Sequence, residues 1–98
     1  MFVGTLRADL LLGDVRSLKQ KRSVVRPLIS AVKRQFDVCV AEVGHVELYR
    51  RSEIGVVVTS GDITHCRDVM TACEMALVNR PELEVLSVRQ RLVNEEDL

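Results

Sequence analysis

Aromatic side chains are scarce in this 98-residue chain, which has one tyrosine, two phenylalanines and no tryptophan. The hydrophobic share is nevertheless 47%, so the core must be built from aliphatic side chains. Proteins that bind RNA on the face of a β-sheet stack bases on exposed aromatic residues. The composition therefore argues against base stacking on a sheet face.

Metal ligands and disulfide partners are equally few. The three cysteines form no CxxC pair, and the two histidines are separated in sequence. Cys66 and Cys73 lie seven residues apart on a predicted helix, a rise of about 10 Å that a disulfide does not bridge. His45 lies near Glu42 and Glu47, and we interpret it as a loop histidine with a local hydrogen bond. We expect no metal site, no cofactor and reduced cysteines.

Catalytic patterns and membrane segments are also missing. Cys39 or Cys66 with His45 is the one nucleophile–base pair available, and nothing in the sequence orients it. The glycine-rich phosphate loop that acylphosphatases carry after their first strand is absent. Arg7 and Asp9 interrupt the apolar start, and the other apolar runs are far too short to cross a bilayer. We predict a soluble cytoplasmic protein that is not an enzyme and does not contact the membrane.

The apolar periodicity predicts four strands and two helices in the order β-α-β-β-α-β. The predicted strands are Phe2–Leu12, Val38–Val43, Ile54–Ser60 and Leu83–Val93; the helices start at Ser17 and at Asp62 or Thr64, and end at Phe36 and Asn79. Two right-handed crossovers then give one ferredoxin-like α+β domain over residues 1–98, a four-stranded antiparallel sheet with both helices on one face and strand order 4-1-3-2. We expect Leu86, Val88 and Leu92 to face inward, and the third strand to be covered on both faces.

The first helix carries charge of one sign. Residues 16–34 hold seven basic residues and no acidic one. Ser17 and Gln20 fit a capping box at its start. Pro27 lies opposite the apolar stripe, which indicates a bent continuous helix; a helix that begins afresh at Ser23 is the alternative.

The cations of this helix fall in a stripe beside the apolar face. A helix normally intersperses acidic residues among basic ones, and its dipole disfavours positive charge in the first turns. We therefore predict a non-catalytic contact surface for RNA or the ribosome, without DNA sequence specificity, that includes two loop arginines. Its predicted residues are Arg16, Lys19, Lys21, Arg22, Arg26, Lys33, Arg50 and Arg51. A face that is merely solvated is the alternative, since the net charge is zero.

Two hypotheses without a nucleic-acid role remain open. The uncovered sheet face, with Val57 among its residues, or the edge strand Val38–Val43 could form a homodimer or meet another protein. A small-ligand sensor resembling ACT domains would need a pocket at such an interface.

Three motifs carry a family resemblance. Ser17–Arg22 (SLKQKR) resembles the S-L-K-x-K-R signature of the YlxP-like family, small bacterial proteins of unassigned function. The segment from Ala41 to Arg51, with Glu42, His45 and Leu48, resembles that family's A-E-V-x-H-x-x-L-x-x-R element. Residues 60–62 resemble its turn before the second helix, which is usually Ser-Asn-Asp.

The resemblance covers essentially the whole chain and implies the ferredoxin-like fold. Gly44 stands where the family commonly has an Asp before the histidine, and Tyr49 where a Trp is common. Members are often encoded beside ribosome-maturation and translation-initiation factors, which implies a partner in ribosomal RNA or the translation apparatus.

The predicted loop Gly44–Ser52 contains apolar residues in an otherwise polar connection. We expect Leu48 to be its buried anchor. We also expect a carboxylate to hold Arg51, with Glu42 or Glu47 the nearest in sequence.

Overall fold

The computed structural model describes all 98 residues and contains four strands and two helices. The bounds are β1 (Phe2–Leu12), α1 (Leu18–Phe36), β2 (Cys39–Gly44), β3 (Arg51–Ser60), α2 (Ile63–Val78) and β4 (Leu83–Asn94), followed by a short 3-10 turn (Glu95–Asp97). The strands form one antiparallel sheet in the order β2-β3-β1-β4. The predicted ferredoxin-like α+β fold and its strand order are confirmed.

The first helix begins and continues as its sequence indicates. The Ser17 hydroxyl accepts a hydrogen bond from the backbone N–H of Gln20 (3.1 Å). The Gln20 side chain reaches back to the backbone N–H of Arg16 (2.6 Å), one residue before the partner that a capping box normally has. The helix runs unbroken through Pro27, and Asp37 ends it in the left-handed conformation (φ 52°). The continuous helix is therefore the correct alternative.

The core lies between the two helices and one face of the sheet. Leu6, Ala8, Leu10 and Leu12 of β1 alternate inward and are at most 1% exposed, because successive side chains of a strand point to opposite faces. The helices cover them with apolar stripes at helical spacing: Val25, Leu28 and Val32 from α1, and Cys66, Met70, Cys73 and Leu77 from α2. This aliphatic core leaves the other face of the sheet open.

Two predictions about which side chains are covered are wrong. The register of β1 and β4 shifts after Asp9, so that Leu10 pairs with Val85 and Asp9 with Ser87. Leu86 occupies this bulge and is 45% exposed, while Val85 packs on the core. The central strand β3 is covered on one face only, since Val57 is 44% exposed on the other.

The connection between β2 and β3 is shorter than predicted. β2 ends at Gly44 and β3 begins at Arg51, so the loop comprises residues 45–50 rather than Gly44–Ser52. We call residues 45–50 the β2–β3 loop.

Neither α1 nor α2 combines the length and the apolar composition that a membrane-spanning helix requires.

Candidate functional site

An unpaired basic surface follows the exposed side of α1. We define the basic surface as Lys19, Arg22, Arg26 and Lys33, which are all exposed. None of the four forms an ion pair with a carboxylate. At about 1.5 Å per residue the surface extends roughly 21 Å along the helix. The helix thus presents a line of cations with no compensating charge of its own.

A groove adjoins the first half of the basic surface. It has a volume of about 290 Å³ and lies between α1 and the β2–β3 loop. Arg22 and Arg26 line it together with Val46 and Glu47. The two arginines therefore stand beside an apolar side chain as well as open solvent.

Lys21 belongs to the interior rather than to this surface. Its side chain is 3% exposed, and its ammonium lies 2.9 Å from Glu42 Oε2. It also donates to the backbone carbonyls of His45 (2.7 Å) and Val46 (3.2 Å). An ammonium has three donors, and all three are used here, so Lys21 is not available to a ligand.

Glu42 is the acceptor that joins this cluster to the sheet. Its Oε2 also accepts from the hydroxyl of Ser52 (2.6 Å), which is fully buried. The side chains of Lys21 and Glu42 thereby tie α1, β2 and β3 together. Their role in the structure is to hold the helix against the edge of the sheet.

Arg50 in the β2–β3 loop and Arg51 at the start of β3 also make contacts within the chain. Arg50 Nε donates to the carbonyls of Leu12 (3.3 Å) and Gly13 (3.1 Å). One terminal nitrogen of Arg51 donates to both carboxylate oxygens of Asp9, at 2.8 and 2.7 Å. Arg51 Nε is buried without a partner. Arg51 is therefore paired within the chain. Arg50 is exposed and uses only its Nε, so its charge remains uncompensated. Arg16, just before α1, is exposed and lies 3.3 Å from Asp14.

The expected partner of Arg51 is wrong for a geometric reason. A carboxylate does hold Arg51, but it is Asp9 and not Glu42 or Glu47. Glu42 pairs with Ile54 in the register of β2 and β3, so it points to the helix side of the sheet. Arg51 is three residues before Ile54 and points to the open side, where Asp9 lies.

His45 completes the contacts around Asp9. It adopts the left-handed backbone conformation (φ 55°), and its Nε2 lies 3.6 Å from Asp9 Oδ1 and 3.5 Å from the Arg51 guanidinium. The hydrogen bond from Arg51, against a smaller opposing effect of burial, lowers the pKa of the Asp9 carboxyl below its usual value. The ring of His45 therefore contacts Asp9 and Arg51.

Leu48 is not the buried anchor of the loop. It is 49% exposed, and Tyr49 is 50% exposed. Polar contacts hold the β2–β3 loop instead: Lys21 donates to the loop carbonyls of His45 and Val46. From within the loop, Arg50 donates to the carbonyls of Leu12 and Gly13. No group of three or more His, Cys, Asp or Glu side chains is placed to hold a metal ion.

Sequence comparison identifies the family of this chain. Residues 3–90 match the family model described as Protein of unknown function (DUF503). The chain belongs to this family. It is also 23% identical to the Uncharacterized protein YlxP of Bacillus subtilis (strain 168) over 82 residues, which cover 84% of this chain and 89% of that protein. The resemblance to YlxP-like proteins is confirmed, and neither description states an activity.

Proposed function

We propose that this family member is a non-catalytic RNA- or ribosome-associated factor that contacts RNA phosphates through the basic surface. The observation that carries the proposal is the set of four exposed cations on α1 without a single carboxylate partner. Such an arrangement costs helix stability, because like charges at neighbouring helical positions repel each other. An anionic partner offsets that cost.

The geometry suits a phosphate backbone. At about 100° per residue, Arg22, Arg26 and Lys33 all lie within about 60° of Lys19 around the helix axis. The four cations therefore share one side of the helix. Contacts to phosphates position a protein on RNA without specifying sequence. We therefore expect binding that depends little on sequence and weakens as salt is raised.

The test is RNA binding across a salt series. For four phosphates the slope of log K against log salt is about −3 on a single strand, and the Arg22→Glu, Arg26→Glu double variant should reduce it to about −1.5. The readout is the fluorescence anisotropy of a labelled single-stranded RNA. Equal, weak affinity of both proteins at every salt concentration contradicts the proposal.

A matched control is available on the other side of the molecule. The Arg89→Glu, Arg91→Glu double variant changes the net charge by the same amount, on β4 rather than α1. It should retain the affinity and slope of the unaltered protein. If both variants lose RNA equally, the effect reflects overall charge and the basic surface has no special role. Sequencing the RNA that copurifies from native lysate would name the partner.

A homodimer through the open sheet face is a second hypothesis. Val43 and Val57 favour it, since they are 47% and 44% exposed on that face or its edge. Light scattering tests it directly. A dimer that Val57→Lys converts to a monomer supports this interface, and a monomer at high concentration counts against it.

A further inference from the structure

A groove of about 430 Å³ crosses the open face of the sheet, away from the basic surface. The register places Cys39, Val57, Thr5 and Arg91 side by side in one row across all four strands. The next row contains Ala41, Gly55, Arg7 and Arg89. The groove therefore has one side made by β2 and β3 and another made by β4.

The side made by β2 and β3 is apolar and partly empty. Cys39, Ala41, Val43 and Val57 line it, and all four are exposed. Gly55 lies in the middle of this side and leaves space above the strand, because it has no side chain. A β-carbon there would lie 2.9 Å from a methyl group of Val43. Any other residue at position 55 would fill part of the groove.

The side made by β4 is cationic. Arg89 lies directly opposite Arg7, and like charges directly opposite each other destabilise a strand pair. Arg7 forms an ion pair with Glu53, with 2.9 Å between Arg7 Nε and Glu53 Oε1. Arg89 and Arg91 form no ion pair. Two guanidinium groups with unused donors thus stand at one side of an apolar groove.

We propose that this groove binds a small amphipathic carboxylate. Its acidic group accepts hydrogen bonds from Arg89 and Arg91, since guanidinium and carboxylate pair in a bidentate manner. Its apolar part lies on Val57 and Cys39. The row from β4 to β2 covers three strand spacings, about 14 Å, and the groove volume lies in the range of small-molecule sites.

Charge complementarity favours this occupant over a second copy of the chain. Among the carboxylates on the open face, Asp9 and Glu53 are already bound by Arg51 and Arg7. Glu84 is the remaining carboxylate of β4 on this face, and it forms no ion pair. A facing copy therefore offers one free acid to the two arginines, in a position that depends on how the copies align, whereas a small carboxylate can approach both directly.

The first measurement compares two fluorescent probes that differ in one charged group. These are 8-anilinonaphthalene-1-sulfonate and its uncharged parent N-phenyl-1-naphthylamine. The sulfonate probe should bind at least about tenfold more tightly, and Arg89→Glu, Arg91→Glu should remove that advantage while the uncharged probe is unaffected. Decanoate below its micelle concentration should displace the sulfonate probe, and 1-decanol should not.

Cys39 reports where the probe binds. It is the one exposed cysteine, because Cys66 and Cys73 are buried, and it lines the groove. Bound sulfonate probe should slow the reaction of Cys39 with uncharged iodoacetamide at least about fivefold, as expected for a covered thiol. Probe binding without this protection places the probe elsewhere and overturns the proposal.

The variants separate this inference from the RNA-binding proposal. Arg22→Glu, Arg26→Glu should weaken RNA binding and leave the sulfonate probe bound as before, and the β4 double variant should do the reverse. Equal affinity for the two probes, or no competition by decanoate, overturns the carboxylate site whatever the RNA result. A dimer in light scattering whose Cys39 becomes less reactive as protein concentration rises also overturns it, since a second copy then covers the face.

Discussion

Lys21 Nζ and Glu42 Oε2 are 2.9 Å apart, and this ion pair joins the two longest motifs of the sequence. Lys21 belongs to SLKQKR on α1, and Glu42 belongs to the element that continues through His45 and Arg51. Lys21 also binds the carbonyl of His45, while Arg51 and the His45 ring face Asp9. The residues of these two motifs therefore pack α1 and the β2–β3 loop against the sheet.

Removing the charge of Glu42 should destabilise the protein. In Glu42→Gln the buried Lys21 ammonium keeps only neutral acceptors, and breaking a buried ion pair costs about 3 kcal/mol. Urea unfolding measures the loss. Glu47→Gln is the control, because Glu47 is exposed and forms no ion pair, and it should change stability by less than about 0.5 kcal/mol. Equal effects of the two variants would mean that the Lys21–Glu42 pair contributes little.

Asp9 should make stability depend on pH in the acid range. Arg51 lowers the pKa of the folded-state carboxyl, so its contribution is present above the unfolded-state pKa of about 4 and is lost as pH falls through the folded-state value. The pair is 34% and 26% exposed, so Asp9→Asn should cost only about 1 kcal/mol at neutral pH. The difference between the two proteins should disappear well below pH 4, and a constant difference down to the acid limit would contradict this account.

The fold was predictable because periodicity and capping act locally. Leu6, Ala8 and Leu10 alternate along β1, and Ser17 and Asp62 cap the helices that their sequences indicate. The β4 bulge was not predictable in this way, because it depends on how Asp9 and Ser87 align across two strands. Leu86 consequently looks like a core residue in sequence and is exposed in the structure.

The site was predictable only in part. Lys19, Arg22, Arg26 and Lys33 remain exposed as the helical spacing indicates. Lys21 is buried instead of exposed, because it pairs with Glu42. The sequence did not indicate this pair, since Glu42 lies 21 residues away along the chain. Ser52 and Asp9 went unnoticed for the same reason. One signal was available: Glu42 shares a strand face with the apolar Val38 and Val40, the face that packs on the helices, and a carboxylate placed there requires a cation.

Leu48 should contribute much less to stability than its motif suggests. A buried leucine anchor would cost about 2–3 kcal/mol on truncation to alanine. Because Leu48 is 49% exposed, Leu48→Ala should cost under about 1 kcal/mol. Leu28→Ala provides the comparison: Leu28 is 1% exposed and its truncation should cost roughly 2–5 kcal/mol. Similar losses in urea unfolding would show that Leu48 is buried in solution.

The three cysteines should react at very different rates. Cys39 is exposed, while Cys66 and Cys73 are buried, and burial raises the pKa of both buried thiols. Because the thiolate is the reactive form, iodoacetamide should label the folded protein once, and Cys39→Ser should abolish that labelling. Mass spectrometry counts the labels, and we expect one label on the folded protein and three after unfolding in urea. Early labelling of Cys66 or Cys73 in the folded protein would contradict this expectation and show that α2 opens readily from the sheet.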